Sequence, residues 1–205
     1  MPAKIRDNVE LVSLNSVSKG LLGECGFRGG YMEVANLDPY ASEQIYKLKS
    51  VELCSNTIGQ LTALLLVDPP LRGVESDSTV DKFEKEKNDI FDGLKTRATL
   101  LSKTFNDMEN VTCSEIQGAM YAFPRIHLSK GAIAEAKRRD VAPDFLYCME
   151  MVEKTGIMTV PGSGFGQKKD TYHFRITNLV CPTERMQTTL ENLKAFNQEF
   201  HNKYK

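Results

Sequence analysis

The chain has 205 residues, with 26 Lys and Arg against 27 Asp and Glu, 41% hydrophobic residues and 26% charged ones. That apolar content can offset the entropy of ordering, which excludes disorder for most of the chain, and a net charge of −1 lacks the basic excess that nucleic-acid phosphates demand. The longest apolar run, around 61–67, falls far short of the roughly 20 residues that cross a bilayer, so neither nucleic acid nor membrane is an expected partner.

Residues 10–14 are a short apolar run that predicts a strand, ended by the polar 15–20. Gly23, Gly26, Gly29 and Gly30 mark a loop, and 31–34 predicts a second strand. Pro39 opens a helix to about residue 54, with Ile45, Leu48 and Leu53 among its inward positions. A second, apolar helix is predicted over 57–67, stopped by Pro69 and Pro70, and the polar 71–79 reads as a linker. A long charged helix follows over 80–106, with Phe83, Ile90, Leu94, Leu101 and Phe105 on one stripe and its charges solvated.

Beyond it the pattern alternates: strands over 111–115 and 120–123, a Lys/Arg-rich helix over 131–140, and a helix begun by Pro143 and ended by Gly156. Strand 157–160, loop 161–167 and strand 172–179 lead to a terminal helix with Met186, Leu190, Leu193, Phe196 and Phe200 at helical spacing. The expected fold class is α/β in two pieces: a sheet remnant before Leu71 and a compact α+β unit after Thr79. Cys25, Cys54, Cys113, Cys148 and Cys181 make no zinc spacing and read as reduced intracellular thiols, mostly buried, with no metal site. The opening residues 1–9 lack an apolar core segment and predict no targeting signal.

The segment Ser16-Val17-Ser18-Lys19-Gly20 sits at a strand end, with Arg28 nine residues after the lysine. A lysine held there by hydroxyls and partly desolvated can form a Schiff base with an aldehyde. Ser16, Ser18 and Arg28 are the donor types that gather around a dianionic phosphate, the guanidinium as a planar fork. Lysine plus phosphate cradle suits pyridoxal 5'-phosphate. The spacing alone equally describes a Ser-rich turn whose Lys and Arg face water, and the glycines make no dinucleotide fingerprint.

From Ser16 through Gly20, on to Gly23-Glu24-Cys25-Gly26-Phe27-Arg28-Gly29-Gly30-Tyr31-Met32-Glu33-Val34, the chain resembles the cofactor-lysine segment of alanine aminotransferases. Three further motifs are similar to that family in the same order: Gln117-Gly118-Ala119-Met120-Tyr121-Ala122-Phe123-Pro124, Val160-Pro161-Gly162-Ser163-Gly164-Phe165-Gly166-Gln167, and Tyr172-His173-Phe174-Arg175-Ile176-Thr177. The resemblance implies the aspartate aminotransferase-like fold type I. Residues 1–79 would be the C-terminal end of a large cofactor-binding α/β domain, and 80–205 the interdomain helix plus a small α+β domain.

It implies Lys19 as the Schiff-base and proton-moving lysine, Ser16, Ser18 and Arg28 as phosphate ligands, and Arg175 as the anchor of the substrate carboxylate. The implied substrates are L-alanine and 2-oxoglutarate in a homodimer, cytoplasmic or, as the alternative, mitochondrial. Gln117 and Gly118 would border the substrate. Members of the family are roughly twice this length, and their N-terminal part supplies the ring-stacking aromatic and the aspartate at the pyridine nitrogen. Asp7 and Asn8 cannot replace these. The chain is therefore expected to be the C-terminal two-fifths, inactive alone. A self-associating non-enzymatic module and a related pyridoxal-phosphate lyase are the competing readings. His173 reads as a satisfied strand histidine, and His127 and His201 as surface residues.

Overall fold

The computed structural model describes residues 8–118 and 120–205. Asp7, the targeting reading up to residue 7 and Ala119 of the second motif lie outside them. Two compact units divide the chain, Met1–Asn88 and Asp89–Lys205.

In the first unit, β1 (Leu11–Ser16) and β2 (Gly30–Ala35) form an antiparallel ladder running from Leu11 opposite Ala35 to Ser16 opposite Gly30. The first strand thus continues through the polar Asn15 and Ser16, which pair with Tyr31 and Gly30. Helix α1 (Pro39–Val51) starts on Asp38, whose carboxylate accepts the Ala41 N–H, with Pro39 at a position that needs no donor. It stops short of residue 54, because Leu53 turns to φ 56°. Leu48 and Leu53, expected to face inward, are exposed, and Ile45 is only half-buried. Apolar spacing defines a face, but a face needs something to lie against.

Helix α2 (Thr57–Val67) has the expected bounds, capped by the Asn56 side chain on the Ile58 N–H and followed by the prolines. Helix α3 (Asp77–Asn106) begins within the stretch expected as a linker. The rest of that stretch is a turn tied to the helix: the Arg72 guanidinium lies 2.6 Å from Asp81 and 3.1 Å from Glu84. On the α3 stripe Ile90 is exposed, Phe83 and Leu94 are half-buried, and Leu101 and Phe105 are wholly buried.

The second unit is α+β. Its strands are β3 (Val111–Thr112), β4 (Tyr121–Ala122), β5 (Arg125–Ile126), β6 (Val160–Pro161) and β7 (Tyr172–Thr177). All pairings are antiparallel, in the order β3-β5-β7-β4, with β6 also on β7. Strand β5 was not expected, because two residues carry no periodicity to read. Helices α4 (Lys130–Arg138), α5 (Pro143–Thr155) and α6 (Thr183–Lys203) pack on this sheet. Gly156 ends α5 at φ 72°, the left-handed stop glycine favours.

The core gathers Leu101, Phe105, Ile126, Met151, Phe174, Met186, Leu190, Leu193, Phe196 and Phe200 around Tyr147. The Tyr147 ring lies 4.9–5.8 Å from Phe200, Phe196 and Phe174, and its hydroxyl donates to Asn197 Oδ1 at 2.9 Å. Each such large apolar side chain contributes about 1.5–3 kcal/mol by leaving water. The five residues predicted to line α6 are all buried here. Of the cysteines only Cys148 is buried, and burial pushes its thiol up to about 11. Cys25, Cys54 and Cys181 are exposed, contrary to the expectation of mostly buried thiols. His201 is half-buried beside Phe200 rather than on the surface, while His127 is exposed. No described helix is long and apolar enough to cross a membrane.

Candidate active site

Ser16, Ser18, Lys19 and Arg28 lie on one turn that closes the β1–β2 ladder. Val17 inside it is completely buried. Its N–H donates to the Gly29 carbonyl, and its own carbonyl accepts the Glu24 N–H, so the turn is fastened at its neck and its middle. Ser16 Oγ accepts the Ser18 N–H at 3.1 Å, and the Cys25 thiol donates to the Ser18 carbonyl. Cys25 therefore packs the turn. Gly20 and Gly23 take φ of 62° and 63°, which lets the chain double back so that Arg28 returns to the strand end carrying Lys19. Lys19 and Arg28 are exposed and Ser18 is half-buried.

Arg28 is itself left-handed, at φ 52° and ψ 48°, a conformation that costs a non-glycine residue about 1–3 kcal/mol and persists only where the surroundings impose it. The imposing contact is α2. Gly29 and Gly59 meet backbone to backbone: a Cβ on Gly59 would lie 2.7 Å from the Phe27 carbonyl oxygen and 2.8 Å from that of Arg28. Asn56 caps α2 and also donates to the Phe27 carbonyl at 2.9 Å. The guanidinium donates one N–H to the Cys25 carbonyl at 3.1 Å, and among the described residues its other donors make no hydrogen bond.

In the second unit Arg175 is half-buried on β7, opposite Val160. Its guanidinium carbon lies 4.5 Å from the Tyr121 ring and 4.9 Å from the Phe165 ring. Among the described residues its only charge-related contacts are these two π faces. A cation stacked on rings is held in place without its fork being used, which leaves the fork for a carboxylate.

Around it, Phe123 meets Phe165 edge-on at 5.6 Å and stacks flat on His173 at 4.8 Å. His173 Nδ1 lies 2.9 Å from Gln167 Oε1, so the ring is a satisfied strand histidine. Burial, then the nearby Arg125 charge, hold it below the ordinary histidine range. Gln117 and Gly118 are exposed.

The sequence reading missed Tyr121, Phe165 and Asp144. The two rings stand in motifs it quoted, but spacing does not reveal which ring will meet a cation. Asp144, 1% exposed, could have been flagged as an acid in the first turn of a Pro-begun helix. Among the described residues, no group of three or more His, Cys, Asp or Glu side chains could hold a metal.

Alanine aminotransferase from Pyrococcus furiosus superposes with a TM-score of 0.74 at 24% identity, over 97% of this chain and 45% of that one. The fold is thus that of the C-terminal part of an aspartate aminotransferase-like, fold type I enzyme. Alanine aminotransferase 2 of Xenopus laevis is 44% identical over 204 residues, covering 100% of this chain and 37% of that protein. Glutamate–glyoxylate aminotransferase 1 of Arabidopsis thaliana is 44% identical over 204 residues, covering 100% and 42%. No family model matches. In sequence, the chain matches the C-terminal part of the alanine aminotransferases, and it spans about two-fifths of the length of the curated relatives it matches.

Proposed function

We propose that this chain is the lysine- and arginine-bearing part of a pyridoxal-phosphate aminotransferase that moves an amino group between L-alanine and 2-oxoglutarate. The observation that carries the proposal is the fastened 16–28 turn, which puts two serines, a lysine and a strained arginine on one backbone loop. Hydroxyls and a guanidinium with unused N–H donors fit a dianionic phosphate. When bound, pyridoxal phosphate supplies the electron sink that stabilises charge at a substrate α-carbon.

The residues supply the rest. Ser16 and Arg28 hold the phosphate. Ser18, in the turn just beyond the end of β1, is the lesser ligand. Lys19 would hold the cofactor through its amine, and that amine would carry the proton to and from the substrate α-carbon. Arg175 binds the substrate carboxylate in its fork, and the rings of Tyr121 and Phe165 hold the guanidinium in place for it.

We further propose a homodimer and a cytoplasmic location, with the mitochondrion as the alternative. The residues of the relatives' preceding part are needed for turnover, so the 205-residue chain alone is expected to be inactive. The test joins this chain behind the preceding part of the Xenopus laevis relative. Expected are alanine–2-oxoglutarate transamination and a visible cofactor absorbance band, both lost in Lys19→Ala. Activity surviving Lys19→Ala, or turnover by the 205-residue chain alone, would overturn the assignment. A preference for glyoxylate over 2-oxoglutarate would shift the substrate toward that of the Arabidopsis relative.

A further inference from the structure

Five residues of the second unit form a closed loop pinned to one buried atom. Asp144 Oδ2 accepts the Ser163 N–H at 2.5 Å and the Gln167 side-chain amide at 3.0 Å. Those two donors bracket the segment 163–167, and Phe165 stands at its middle. The same Gln167 points its Oε1 at His173 Nδ1. Because its amide nitrogen is committed to a carboxylate, its oxygen must face the ring, and the histidine must carry its proton on Nδ1. His173 then lies flat on Phe123, which meets Phe165 edge-on. Phe165 is thus held twice, by Asp144 through the two ends of the 163–167 segment and by Phe123 through its ring.

The backbone is closely packed at Gly162. A Cβ on Gly162 would lie 2.3 Å from Gln167 Oε1 and 2.8 Å from His173 Cβ. Gly166 at φ 65° closes the loop. Among the described residues Asp144 Oδ1 is buried with no hydrogen-bond partner, so the polar contacts of this carboxylate are those of its other oxygen.

We propose that Asp144 is a positioning residue for Arg175: it sets the Phe165 ring against the guanidinium and so fixes where the carboxylate fork points. This rests on Arg175 as the carboxylate anchor. Asp144 touches no substrate and acts only through the 163–167 segment. Asparagine can keep both bonds with its carbonyl oxygen, placing its amide where the bare Oδ1 now lies, whereas alanine can keep neither.

The test uses NMR on the 205-residue chain, following the Arg175 side-chain N–H signal, which the two rings shift away from its solvent-exposed value. The probe is pyruvate. Asp144→Ala is expected to move that signal toward the exposed value and weaken pyruvate binding roughly tenfold, while Asp144→Asn stays within about twofold of the parent. Signals of the distant α6 core, such as Leu193, should not move.

An unchanged Arg175 signal in folded Asp144→Ala overturns the proposal, as does an Asn variant that behaves like the Ala variant. If Asp144→Ala fails to fold, Gln167→Leu decides, since it keeps the Ser163 bond but cuts the bridge to His173. It must move the Arg175 signal in the same direction, or the proposal fails. Absence of pyruvate binding by the parent chain would count against the anchor reading alone, because the ring shift reports on Asp144 without any ligand.

Discussion

Replacing Tyr147 by phenylalanine tests whether the second unit is held by its buried hydrogen bond as well as by ring packing. The substitution keeps the ring and its contacts with Phe174, Phe196 and Phe200, and removes only the hydroxyl. Asn197 Oδ1, on a residue 2% exposed, then loses its donor. Stranding a buried acceptor costs about 1–3 kcal/mol, whereas removing both partners of a buried bond together is nearly neutral.

For a unit the size of Asp89–Lys205, an unfolding entropy of about 0.25 kcal/mol/K converts that to a fall in Tm of roughly 4–12 °C. The assay is thermal unfolding followed by near-UV circular dichroism, which reports the packed aromatics. Adding Asn197→Leu to Tyr147→Phe removes the stranded oxygen. The amide's other bond, to the carbonyl of exposed Glu109, can be replaced by water. The double variant is therefore expected to melt above Tyr147→Phe alone. An unchanged Tm in Tyr147→Phe, or a double variant that melts lower still, would refute the reasoning.

Two further predictions follow the same logic. Hydrogen bonds from Arg138 and Arg139 hold the Glu135 carboxyl down to about 2 from its ordinary 4.5. A lowered acid stabilises the fold above its unfolded value and loses that contribution as pH falls from 4.5 toward 2. Glu135→Gln should therefore flatten the acid limb of stability between those values, in denaturant melts at low salt, and high salt should shrink the difference. Gly59→Ala gains up to about 1 kcal/mol of helix propensity but places a Cβ 2.7 Å from the Phe27 carbonyl oxygen, an overpacking that costs about 1–3 kcal/mol. The clash wins, α2 withdraws, and Arg28 loses its imposed conformation. In the extended protein, cofactor titration should show weaker retention, with substrate affinity unchanged.

What the sequence revealed follows from where its information lies. Helix α2 was legible from its apolar run and the two prolines that stop it, and the Asn56 cap that fixes its start also acts within the chain's own neighbourhood. The α6 stripe was legible because five apolar residues repeat at helical spacing. The site turn was legible from residue types, though not the twist at Arg28, which Gly59 imposes from 31 positions away.

Strand β5 was hidden because its two residues gain strand geometry only from Val111–Thr112 on one side and β7 on the other. The exposed Leu48 and Leu53 show the opposite error, a face read as buried with nothing described against it. The place of Asp144 in a first helical turn was readable, but its role was hidden for a third reason: its value lies in two donors that arrive 19 and 23 residues later.

The sheet of the second unit has a consequence for how the chain comes into being. Four of its strands are two residues long, and three of those, β4, β5 and β6, pair with the six-residue β7. Among the described residues, β4 and β6 have no other strand partner. A ribosome delivers residues in order at about 5–20 per second, so Tyr121–Ala122 waits seconds for Tyr172–Thr177 to emerge. During that wait the helices made first have only the short β3–β5 ladder to cover, and Phe105 and Tyr147 have no Phe174 to pack against. Completion of this sheet therefore waits on the arrival of one late strand, the same strand that delivers Arg175.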